Sequence, residues 1–128
     1  MNRNWIRVFI GVVILGLLST ASTGAMINNA KRTTYFTFSR SVQIPGVTLP
    51  AGTYVFELAD PEHSIDVVRV LNKERNRVYL TAFTRPVERA RAGKLDAAIV
   101  FAETSPGVAP SIKAWYPQDE RTGRQFIY

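Results

Sequence analysis

The chain has 128 residues, 46% of them hydrophobic and 20% charged, with no cysteine, one histidine and a formal net charge of +6. That length holds one hydrophobic core, and the balanced composition excludes extended disorder, collagen-like repeats and a multi-span membrane protein. Without cysteine there is no disulfide scaffold, no Cys-based zinc or iron–sulfur site, no thiol nucleophile and no lipid-modified cysteine.

Residues 1–25 read MNRNWIRVFIGVVILGLLSTASTGA. Arg3 and Arg7 give a positive start, Val8 to Leu18 form 11 apolar or glycine residues, and Thr23-Gly24-Ala25 supplies the small side chains read by a signal peptidase. This is the three-part layout of a secretory signal peptide. A helix of that length covers about 16 Å, against ~30 Å for the bilayer core. The segment is therefore read as a cleaved signal, with an uncleaved anchor as the alternative. Cleavage leaves residues 26–128 as a single domain in which fourteen basic residues face ten acids, a net charge of +4. Exported to the periplasm or beyond, that domain holds by packing alone.

Short β-type runs then alternate with turns. Thr33–Phe38 sets Phe36 and Phe38 on one side, and Thr53–Leu58 sets Tyr54, Phe56 and Leu58 against Thr53, Val55 and Glu57. Ser41–Ile44 and Val47–Leu49 flank the turn pair Pro45-Gly46. Ile65–Leu71 is β-branched on both parities, as in a central strand or one carrying a bulge. Arg77–Thr84, Ala97–Glu103, Ser111–Tyr116 and a last run at Gln125–Tyr128 follow, separated by Asn72–Asn76, Arg85–Asp96, Thr104–Pro110 and Pro117–Gly123. No apolar helical period is sustained. The expectation is an all-β fold, an antiparallel β-sandwich or small partly closed barrel of seven or eight short strands.

Leu49-Pro50-Ala51-Gly52-Thr53-Tyr54 resembles the LPAGxY turn-plus-strand of many exported bacterial β-domains. Together with Val67-Val68-Arg69-Val70, Glu103-Thr104-Ser105-Pro106-Gly107, Trp115-Tyr116-Pro117 and Gln125-Phe126-Ile127-Tyr128, it resembles a family of small exported bacterial β-rich proteins common in soil-type bacteria such as Acidobacteria. The resemblance implies export and a β-rich fold in which the motif tyrosine packs inward. It assigns no catalytic residue.

Asp60-Pro61-Glu62-His63-Ser64-Ile65-Asp66 gathers the sole histidine with three carboxylates, but its spacing fits neither a calcium loop nor a zinc helix. It reads as a solvated loop, so no metal site is expected. Ser64 adjoins His63 too closely for a catalytic triad, and no G-x-S-x-G elbow occurs. Glu57 and Glu103 are strand acids that a small glycan-active enzyme would need across a cleft; the reading adopted is that the protein is not an enzyme and uses no cofactor.

Residues 73–94 hold Lys73, Arg75, Arg77, Arg85, Arg89, Arg91 and Lys94 against Glu74 and Glu88, so the mature chain's excess positive charge is concentrated there. Eight intervening strand residues span about 26 Å, which splits the group into two ends. If the region binds an anionic partner, the candidates are Arg85, Arg89, Arg91 and Lys94; the alternative is a solvated basic loop. No nucleic-acid motif is present, and nucleic acid is not an expected partner. Trp115, beside Tyr116, is a candidate for stacking on a sugar ring, with core packing as the competing role. The terminal aromatic run is expected to close a sheet edge or to add a strand to a partner. The strands are short for a membrane barrel.

The function that emerges is binding or structural association at the cell envelope, with an envelope glycan or protein as the partner. A structural subunit joined through an edge strand is the alternative, followed by the glycan-active enzyme and a membrane-attached barrel.

Overall fold

A computed structural model describes residues 30–90 and 93–128. The expected signal segment and Arg91 lie outside them. The described chain is all β: β1 (Thr34–Phe38), β2 (Val42–Ile44), β3 (Val47–Leu49), β4 (Gly52–Asp60), β5 (Ser64–Asn72), β6 (Val78–Glu88), β7 (Ala98–Phe101), β8 (Ile112–Tyr116) and β9 (Thr122–Phe126). Seven strands form one antiparallel sheet in the order β1-β4-β5-β6-β9-β8-β7, and β2–β3 is a separate hairpin. These nine strands make an open, partly closed half-barrel with sandwich-like packing.

Curvature follows from the contacts. Phe56 on β4 meets Phe36 edge-on at 5.4 Å, and also reaches Trp115 on β8 at 6.2 Å and Phe126 on β9 at 6.3 Å. Strands β4 and β8 are far apart in the sheet order, so the sheet must curl until its two halves face each other. Val42, Ile44 and Leu49 of the hairpin are buried in the same core. The hairpin is tied down at Gln43, whose N–H donates to the Pro110 carbonyl (2.8 Å) and whose Nε2 donates to the Ala109 carbonyl (3.1 Å).

The LPAGxY segment has a local cause. Gly52, at φ +156°, begins β4, and the buried Tyr54 ring folds back so that its hydroxyl donates to the Pro50 carbonyl at 2.6 Å. The turn is thus closed by the tyrosine two residues into the strand.

Two strands depart from the expectation by more than two residues. Strand β6 does not stop at Thr84 but runs through Pro86 to Glu88. Its first half pairs with β5 up to Val67–Phe83, and its second half pairs with β9 from Thr84–Phe126 onward. Past Phe83 the strand has left β5, so Pro86 sits where no donor is required on that side. The last strand is Thr122–Phe126 rather than Gln125–Tyr128, and it lies between β6 and β8. It is therefore neither a sheet edge nor a free strand. The edges of the large sheet are β1 and β7.

Tyr128 lies beyond β9, and 62% of the residue is exposed, yet its hydroxyl is inserted into the fold. It donates to the Ile112 carbonyl at 2.7 Å and lies 3.0 Å from the Gln43 carbonyl, where β8 meets the hairpin. Burial pushes its ionisation from the ordinary 10.0 up to about 12. A raised folded-state value gives a contribution that is fully present below the unfolded value and is lost as pH rises through the folded one. We expect the protein to lose stability between pH 10.0 and about 12 more steeply than Tyr128→Phe, measured as urea midpoints across that range. Parallel curves would show that the hydroxyl contributes nothing. Burial also raises Tyr54 and Tyr116, so the comparison with the phenylalanine variant is what isolates Tyr128.

Candidate binding face

Alternation in β4 and β5 turns Phe56, Leu58, Val68 and Val70 inward and leaves Glu57 and Arg69 directly opposite one another on the outer face. Glu57 is nevertheless completely buried. Arg69 donates to its Oε2 through Nη2 at 2.9 Å and Nε at 3.2 Å, Arg75 donates to Oε1 at 2.8 Å, and the Thr33 hydroxyl donates to Oε1 at 3.1 Å. Arg75 reaches the carboxylate from the β5–β6 turn, where its φ is +62°. Burial alone would push the Glu57 carboxyl up, but the hydrogen bonds from Arg75 and Arg69, the Arg75 charge and the Thr33 hydroxyl outweigh it. The carboxyl is held below its ordinary value. The strand acid considered for glycan chemistry is thus a structural anion with five donors aimed at it, the fifth being Arg75 Nη2 at 3.3 Å from Oε2. Glu103 lies past the end of β7 and is exposed.

Next to this ion cluster the same face turns apolar. Val67 on β5 pairs with Phe83 on β6. Phe83 is 70% exposed and Ile65, two residues before Val67, is 46% exposed. Ile127, just past the end of β9, is also exposed. Arg85 follows Phe83 on the same side of β6, opposite Gln125 of β9, and makes no ion pair among the described residues. Such an exposed phenylalanine among aliphatic neighbours is the feature that burial statistics make informative.

Of the four cations expected to act together, Arg89 is committed to the fold. Arg89 is folded over the Tyr116 ring, 5.2 Å from its centroid, with Nε donating to the Glu120 carbonyl at 2.6 Å and Nη2 to the Pro117 carbonyl at 2.9 Å. Partial burial lowers its pKa, and its donors hold the β8–β9 loop. Arg85 stands about 13 Å earlier along the chain, four strand residues away. Lys94 is exposed in the connector before β7, and Arg91 lies outside the described residues. Of the other cations, Arg75 binds Glu57 and Arg77 lies 4.9 Å over the Tyr79 ring.

Trp115 requires a correction. It is fully buried against Phe56, with no face left for a sugar to stack on. Its indole Nε1 has no hydrogen-bond partner among the described residues. Tyr116 on the opposite side of β8 is buried as well, because Gly123 on β9 provides no side chain and the tyrosine ring lies against the strand.

His63 and Asp60 form an exposed pair, Nδ1 to Oδ2 at 2.8 Å. Among the described residues, no three His, Asp or Glu side chains are placed to hold a metal ion. On the inner face, the buried Arg124 reaches the partly exposed Asp66 at 2.7 Å, a pair separated by 58 residues that local sequence reading does not find. No helix among the described residues is long and apolar enough to cross a membrane.

Compared with protein-family models, with curated proteins and with solved structures, the chain matches none.

Proposed function

We propose that the protein is an exported, non-enzymatic β-domain of the bacterial cell envelope that works by binding, and that its binding surface is the outer face of β5 and β6. One observation carries this reading: Phe83, 70% exposed at the centre of that face, with Ile65 and Val67 beside it and Arg85 next along the strand. A free-standing domain gains nothing from a phenylalanine left in water, whereas a partner that covers it recovers roughly 1.5–3 kcal/mol of burial. The exposed charge alongside it is cationic, so the partner is anionic. The signal-like layout of residues 1–25 and the resemblance to exported bacterial β-domains support a partner in the envelope.

The test is the fraction of exported protein that sediments with isolated envelopes. Phe83→Ser combined with Arg85→Glu is expected to leave most of the protein in the supernatant without altering its thermal midpoint, since both side chains are exposed. Equal sedimentation of variant and wild type would overturn the assignment of the face.

A further inference from the structure

Resting on the reading that this outer face is the binding surface, we infer that its partner is an anionic lipid surface, with Phe83 inserted among acyl chains and Arg85 on a headgroup phosphate. The chemistry of the face selects this occupant. Ile65, Val67 and Phe83 carry no hydrogen-bonding group in their side chains, so they offer nothing to sugar hydroxyls. The alternation that points these three outward also points Arg69 and Arg85 outward, and these are the only charges that β5 and β6 place on that side between Ile65 and Val87. The acid on the neighbouring strand, Glu57, is buried beneath two guanidinium groups and shows nothing to solvent. The acids of the β4–β5 turn, Asp60 and Glu62, lie before Ser64, at the strand's start rather than along the face.

Size points the same way. A stable protein–protein interface takes about 20–30 residues a side, and this strip offers three or four apolar side chains around one free arginine. Peripheral attachment to a bilayer is built at that scale, from a few inserted apolar groups plus attraction between cations and anionic headgroups. Arginine suits the second task because its planar donors engage phosphate oxygens in pairs.

The test uses the exported protein carrying Phe83→Trp, titrated with vesicles of phosphatidylcholine alone or mixed with phosphatidylglycerol, and read against the unsubstituted protein. The fully buried Trp115 contributes a constant background. With the mixed vesicles, the added emission is expected to shift to shorter wavelength and to be quenched by brominated acyl chains. Adding Arg85→Glu is expected to weaken binding about twenty-fivefold at low salt, two charge steps of about fivefold each. In the otherwise native protein, Phe83→Ser is expected to weaken vesicle binding tenfold or more. An unchanged spectrum with the mixed vesicles would overturn the lipid assignment, as would equal binding to neutral vesicles that ignores Arg85→Glu. If envelope sedimentation still depends on Phe83 while vesicles give no response, the face stands and its partner is an anionic protein or glycan. If both fail, the reading of the face falls with it.

Discussion

Glu57→Ala is expected to cost about 3 kcal/mol and to lower the thermal midpoint by roughly 15 °C. The carboxylate is fully buried and receives two arginines and a threonine hydroxyl. Removing it leaves two cations facing each other with nothing between them. Deleting one partner of a buried pair costs roughly 3–5 kcal/mol, and the lower end applies because the guanidinium groups keep some contact with water. Arg75→Ala should cost less, about 1–2 kcal/mol, because Arg69 still compensates the carboxylate. Arg75→Gly should cost less again, since glycine adopts the +62° backbone angle without strain. The pH dependence identifies the mechanism. Glu57 ionises in the fold below its ordinary value of 4.5, so its contribution is fully present above that value and is lost as pH falls through the lower, folded-state one. The gap in midpoint between wild type and Glu57→Gln should therefore be constant near neutrality and close in acid below pH 4.5. A gap that persists unchanged into acid would mean the carboxylate acts through shape rather than charge.

Much of the fold could be read from side-chain alternation, because local pattern dictates it. Tyr54, Phe56 and Leu58 at alternate positions fix which face of β4 turns to the core, and Pro45-Gly46 between two short β-branched runs fixes a hairpin. What escaped depends on partners remote in sequence. Locally Pro86 signals the end of a strand, because nothing nearby in sequence reveals that β6 has already parted from β5 at that point. The face of Phe83 was hidden by the register shift opposite Val70 and Leu71, where the consecutive residues Tyr79 and Leu80 both pack on the core. Strict alternation therefore cannot be carried through β6. An acid on an alternating strand reads as solvent-facing, and Glu57 does lie on the outer face. It is buried there only because Arg69 pairs with it in register and Arg75 reaches it from the next turn. The basic run between residues 73 and 94 is continuous in sequence but divided in space. Arg75 serves Glu57, Arg89 serves the loop before β9, and Arg85 is left facing solvent beside Phe83. Composition located the positive charge, while the sheet register decided which part of it is free to bind.

Gly123→Ala should be nearly as damaging as the loss of Glu57, at about 2–3 kcal/mol. A Cβ at this position would overlap Cδ1 of Tyr116, lie 2.6 Å from its Cε1 and sit 2.8 Å from the Trp115 carbonyl oxygen. The carbonyl belongs to β8, which pairs with β9 at Trp115–Arg124, so the backbone cannot yield without separating the strands. The ring has to move instead. Displacing it removes the surface over which Arg89 is stacked and the contact between the Tyr116 hydroxyl and the Glu88 carbonyl at 3.3 Å. Glycine is thus required here for close approach, in contrast to the turn positions where it supplies backbone freedom. Tyr116→Ala alone should also destabilise by emptying the groove. Combined with Gly123→Ala, however, it removes the ring's share of the obstruction and leaves only the Trp115 carbonyl, so the double variant should be more stable than the sum of the two losses predicts by at least about 1 kcal/mol. Urea unfolding of the four proteins gives that coupling directly. Simple additivity would mean the added methyl group is resisted by the β8 backbone alone, and that Tyr116 is buried over Gly123 without depending on it.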